Sequence, residues 1–160
     1  MLDNSNETIR NRILLEFAKT VELFDLNPLE ARLFTYLYVE GEALTLDDMS
    51  DALGKSKTSM STSVRSLVEL NLVKRVWKKG VRKDLYQANT YLFKQFMSFY
   101  MKKWIDASED RKEALLDIKY QLENLSSKND SQNLQEKLES IIEFHQQLDS
   151  FFKEASEIKN

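Results

Sequence analysis

The sequence predicts a mostly α-helical fold with one small β-hairpin, and three observations point there. Only three glycines and one proline interrupt 160 residues, so long helices meet few breakers. Apolar residues recur at spacings of three and four through most of the chain, the period of a helix with one buried face. One stretch departs from that rule: Leu72–Trp77 is β-rich and reads at period two, and a glycine-containing basic segment separates it from a second short β-rich run, Asp84–Ala88. With 42% hydrophobic and 31% charged residues, the chain suits one ordinary domain or a small domain with a helical extension.

The elements follow in order. Ile9, Ile13, Phe17, Val21 and Phe24 line one face of a first helix over about Glu7–Asp25. Asn27-Pro28 supplies an N-cap and a proline at the first helical position, and Leu29, Leu33, Phe34, Leu37 and Tyr38 carry the next helix to Gly41. Thr45 and Asp48 form a capping box with aspartate in the usual glutamate place, opening a short helix that ends at Gly54. After a three-residue gap, Ser56 caps a helix whose apolar side is Met60, Val64, Leu67, Val68 and Leu70 and which ends at Asn71. The hairpin follows. Tyr91–Trp104 is an aromatic helix, apolar on more than one face, and Leu115, Ile118, Leu122 and Leu125 mark a separate one. Ser126–Ser131 is the linker candidate. Beyond it Leu134, Leu138, Ile141, His145, Leu148 and Phe152 alternate spacings of four and three, a coiled-coil or helical-hairpin seam.

Composition excludes several functions. Without cysteine there are no disulfides, thiolate zinc sites or cysteine nucleophiles, and one histidine, His145, cannot make a multi-histidine metal site. Asp47 and Asp48, and likewise Asp106, Glu109 and Asp110, read as acids at helix starts, because adjacent residues point about 100° apart. No catalytic set, metal site or cofactor is expected. No apolar run reaches the length of a membrane span, and the first twelve residues lack the basic-then-apolar order of an export signal. The expectation is a cytoplasmic protein with no membrane partner.

Charge is segregated. The net value is −3, yet Ala52–Lys83 holds nine basic residues and a single acid, Glu69. One surface is thus prepared for a polyanion on an otherwise acidic body. Helix, helix, short helix, gap, helix and basic hairpin is the order of a winged helix-turn-helix, in which one helix enters the major groove and the hairpin reaches alongside. Ser56, Lys57, Thr58, Ser59, Ser61, Thr62 and Arg65 are the expected contacts on the recognition helix, where small hydroxyls permit close approach. Lys78, Lys79, Arg82 and Lys83 around Gly80 are the expected contacts on the wing, a cluster whose self-repulsion calls for phosphate. Trp77 and Tyr86 read as hairpin packing rather than as stacking groups.

Leu46–Met49, Ser56–Arg65 and Lys79–Lys83, with Glu22–Phe24 and Lys103-Trp104, resemble signature stretches of the GbsR branch of the MarR-type regulators, over roughly Phe17–Trp104. The resemblance implies a homodimeric winged-helix repressor acting on a double-stranded DNA operator and controlling uptake or synthesis of compatible solutes. It also implies choline or a related quaternary ammonium as effector. Phe93, Phe96, Phe99, Tyr100 and Trp104 have two accounts: ordinary core at helical spacing, or walls of a cage that holds such a cation by cation–π attraction. His145 likewise reads as a hydrogen-bonded, half-buried seam residue or as a pH- or ligand-responsive group.

On this reading residues 1–26 are an N-terminal dimerisation helix, 27–90 the DNA-binding lobe and 91–160 a helical dimerisation and effector region. The apolar faces outside the lobe exceed what so small a lobe can cover. A protein–protein adaptor whose winged helix binds an acidic partner is the alternative, and duplex binding discriminates the two.

Overall fold

A computed structural model describes residues 2–125 and 132–157. The elements are α1 (Leu2–Glu22), α2 (Pro28–Glu40), α3 (Leu46–Leu53), α4 (Lys57–Glu69), β1 (Val73–Val76), β2 (Leu85–Ala88), α5 (Leu92–Glu123) and α6 (Gln132–Ser156). They divide into two units, Met1–Phe96 and Met97–Asn160. The linker candidate Ser126–Ser131 lies outside the described residues. Among those described, no helix is long and apolar enough to cross a membrane.

In the first unit, helix ends are set by local side-chain chemistry. The Asn27 side chain accepts the Glu30 N–H at 2.8 Å, and Glu30 Oε1 accepts the Asn27 N–H at 3.1 Å, a closed capping box ahead of α2. Thr45 and Asp48 close the second box at 3.1 and 2.9 Å, so the shorter aspartate does the glutamate's task. Gly54 ends α3 in the left-handed region at φ 65°, which frees the chain to reverse within three residues into α4. The core between these helices and the hairpin holds Leu33, Phe34, Leu37, Met49, Met60, Val64, Leu67, Leu72 and Val73, all fully buried.

α1 lies on α2. Phe17 meets Phe34 and Tyr38 with ring centroids 6.5 and 5.9 Å apart, Val21 is buried, and Arg10 pairs with Glu40. The N-terminal half of the same stripe is different: Ile9 and Ile13 are each 53% exposed. β1 and β2 pair antiparallel with Val73 opposite Ala88 and Val76 opposite Leu85. An isolated antiparallel bridge between Leu44 and Tyr86, with mutual N–H to carbonyl bonds of 2.8 and 2.9 Å, ties the segment before α3 to β2.

The second unit corrects two expectations. The aromatic helix and its successor are one element, α5, of 32 residues. Ile105–Ala114 contains no glycine or proline, so nothing in the sequence stops the helix there. α5 and α6 run antiparallel, with register marked by Lys153–Glu109 at 3.5 Å, Lys112–Asp149 at 3.8 Å and Lys119–Glu139 at 4.0 Å. The buried side of α6 is Leu138, Ile142, Asp149 and Phe152, whereas Leu134 and Ile141 are exposed. Both offsets satisfy a seven-residue repeat. The observed one places Asp149, only 9% exposed, where Lys112 and Lys153 neutralise it. His145 is half-buried, but its Nδ1 has no hydrogen-bond partner among the described residues, nor do Ser108 Oγ and Asp149 Oδ1.

Candidate nucleic-acid interface

α4 buries Met60, Ser63, Val64 and Leu67, and 100° per residue then fixes what remains outward. Lys57, Thr58, Ser61, Thr62 and Arg65 fall within an arc of about 140° on the opposite side. Ser56 and Ser59 are less available: Ser56 Oγ accepts the Ser59 N–H at 3.1 Å as N-cap and donates to Ser59 Oγ at 2.9 Å. Thr62 donates its hydroxyl to the Thr58 carbonyl at 3.1 Å. The seven expected residues therefore comprise five on one face and two that build the helix start beside it.

The wing is the loop between β1 and β2. Gly80 holds φ at 83°, and the Val81 N–H donates to the Lys78 carbonyl at 3.1 Å, a tight turn that brings the surrounding cations to one tip. Lys78, Lys79 and Arg82 are exposed and, like Arg65 on α4, have no ion-pair partner among the described residues. Arg75 is held by Asp84. Trp77 contradicts the packing role expected of it: the residue is 81% exposed, beside Lys78 at the end of β1. A four-residue strand ends at Val76 and leaves that ring without a cross-strand neighbour. Tyr86, in contrast, is half-buried in the sheet.

The two cationic elements meet at α3. Asp47 sits with Oδ1 3.3 Å from Lys57 Nζ and Oδ2 2.9 Å from Lys83 Nζ. Hydrogen bonding to Lys83, then to Lys57, holds the Asp47 carboxyl below the usual carboxylate range, and the same bond raises the Lys83 ammonium. The first turn of α4 and the base of the wing are thus parts of a single surface. Residues 24–78 match the MarR family.

This segment resembles the MarR-type regulators over about a third of the chain. The chain is 36% identical over 98 residues to the HTH-type transcriptional repressor GbsR of Bacillus subtilis (strain 168), covering 61% of this chain and 54% of that protein. It is 31% identical over 98 residues to the HTH-type transcriptional repressor OpcR of the same organism, covering 61% of this chain and 53% of that one. The matched stretch spans about half the length of each relative. A crystal structure described as a transcriptional regulator has the same fold, with TM-score 0.62, 17% identity and coverage of 92% of this chain and 95% of that one.

Within the MarR-type segment, sequence reasoning missed Asp47 as a partner of Lys57 and Lys83. Its position beside a capping box explains it fully as a helix-start acid, and no pattern in the chain announces contacts ten and thirty-six residues away. The Leu44–Tyr86 bridge was also hidden, since three residues between Gly41 and Thr45 are too few to display a period. The five aromatics distribute as follows. Phe96 is buried in the first unit against Phe24 at 4.7 Å and Phe34 at 5.3 Å. In the second unit Trp104 lies 6.2 Å from Tyr100 and 5.4 Å from Phe152. Phe93 is exposed and Phe99 half-buried.

Proposed function

We propose that this chain is a sequence-specific transcriptional repressor that binds a double-stranded operator as a homodimer. In this reading α4 enters the major groove with Lys57, Thr58, Ser61, Thr62 and Arg65, while Lys78, Lys79, Arg82 and Lys83 follow the phosphate backbone. The observation that carries it is the shared contact of Lys57 and Lys83 with Asp47, which makes recognition helix and wing one cationic surface. Exposed Ile9 and Ile13 in the first unit, and Ile141, Phe144 and Phe151 in the second, support a dimer, because apolar side chains on long helices gain by mutual burial. The whole fits a cytoplasmic regulator.

The resemblance of Ser56–Arg65 and Lys79–Lys83 to the GbsR branch implies control of compatible-solute genes and a quaternary ammonium effector, for which Tyr100 and Trp104 in the second unit are the aromatic binding groups. If choline changes DNA affinity, DNA must change choline affinity by the same factor. Calorimetric titration with choline, carnitine and glycine betaine tests this, and the absence of both heat and thermal shift would remove the effector. The DNA reading is tested by Arg82→Ala with Lys83→Ala. Binding to all sequences should weaken, and the log–log salt dependence should flatten by about one unit for each phosphate that is no longer neutralised. An unchanged slope would take the wing out of the interface.

A further inference from the structure

We propose that Asp47 is an internal counter-ion, which holds Lys57 and Lys83 together in the free protein and must yield them to a backbone phosphate when duplex DNA binds. The proposal rests on the DNA-binding reading above. Asp47 occupies the second position of α3, between Leu46 and an Asp48 that is fixed in the capping box. The carboxylate is therefore anchored, while each lysine reaches it on a flexible four-carbon stem. Its two oxygens, at 3.3 and 2.9 Å from the two ammonium groups, do what the two free oxygens of a phosphodiester would do. A cavity of about 280 Å³ opens at this point, lined by Thr45, Leu46, Asp47, Lys57, Arg82, Lys83 and Asp84.

The consequence is electrostatic. Two lysines and Asp47 together present one positive charge rather than two, and a phosphate approaching either lysine meets a carboxylate behind it. Arbitrary duplex, held by its backbone alone, feels the full penalty. An operator that also gains base contacts along α4 overcomes it. Asp47 thus lowers affinity for every duplex by a common factor, which leaves arbitrary sequence unbound at a salt concentration where the operator still holds.

Asp47→Asn removes the charge while keeping size and a hydrogen-bonding oxygen. Affinity for scrambled duplex should rise by about three- to tenfold at low salt, and the log–log salt slope should steepen by about one unit. Affinity for the operator should rise by a similar factor. Asp51→Asn, on the exposed side of the same helix and in contact with neither lysine, changes net charge equally and should reproduce neither effect. If wild type binds no duplex, the repressor reading fails. If wild type binds and Asp47→Asn matches Asp51→Asn, or weakens binding to both duplexes, the counter-ion is overturned. Should Asp47→Asn not fold, Lys83→Gln against Arg82→Gln asks the same question: Lys83 is already paired and should remove less of the salt slope than Arg82. Equal reductions would refute the proposal.

Discussion

Glu30 links the start of α2 to α4 through its two carboxylate oxygens. One closes the capping box on Asn27, and the other accepts the Ser66 hydroxyl from α4. Glu30→Ala should therefore lower stability by about 1–2 kcal/mol, and Ser66→Ala by less, measured by urea unfolding. Met60→Ala, in the fully buried face of α4, should cost about 2–5 kcal/mol in the same measurement. Asp47 has a definite pH sign. Its carboxyl is lowered in the folded state, so its contribution is present above the unfolded value and is lost as pH falls through the lowered one. Between about pH 5 and 8 it stays ionised, and the effect of Asp47→Asn on DNA affinity should be constant there. A difference between wild type and variant that disappears toward pH 5 would show that some other group controls the surface.

At the scale of elements, what was legible in the sequence was whatever is decided within a turn of chain. Asn27, Thr45, Ser56, Gly41 and Gly54 announce helix ends because caps act on backbone groups three or four residues away. The basic tip around Gly80 announces the wing for the same reason. The outward arc of α4 follows from its buried face, since one determines the other. Choices made by packing were not legible. Ile141 and Ile142 both fit a heptad, and the packing takes the second, with Leu138, Ile142 and Phe152 buried and Asp149 within reach of Lys112 and Lys153. The break expected within α5 fell in a stretch with spaced apolar residues but no helix stop, and hydrogen bonding of the backbone carries the helix through. His145 follows from this packing. Its Nδ1 is buried and unpaired among the described residues, so His145→Leu should stabilise the helical hairpin by about 1 kcal/mol in thermal unfolding. A drop in stability would mean that the ring makes a hydrogen bond in solution.

The whole molecule separates its charges: a cationic strip from α4 to the wing on a chain that is acidic elsewhere. On the proposed reading, electrostatics of that kind should bring any duplex to the surface quickly and release it as salt rises, whereas the base contacts proposed for α4 should be less sensitive to salt. Exposed apolar residues on α1 and α6 fit a second copy, which would present two such strips to a two-fold operator. Sedimentation of the purified chain should give twice the 18.8 kDa of one copy, and a monomer at micromolar concentration would leave the operator reading without its symmetry. The most direct test of repression is a titration against the promoter beside the chain's own gene, with scrambled duplex as control, at two salt concentrations. Tighter binding to the promoter that persists at the higher salt is the predicted result. Sequence-blind binding that vanishes at the higher salt would contradict it and leave the winged helix as a surface for an acidic protein partner.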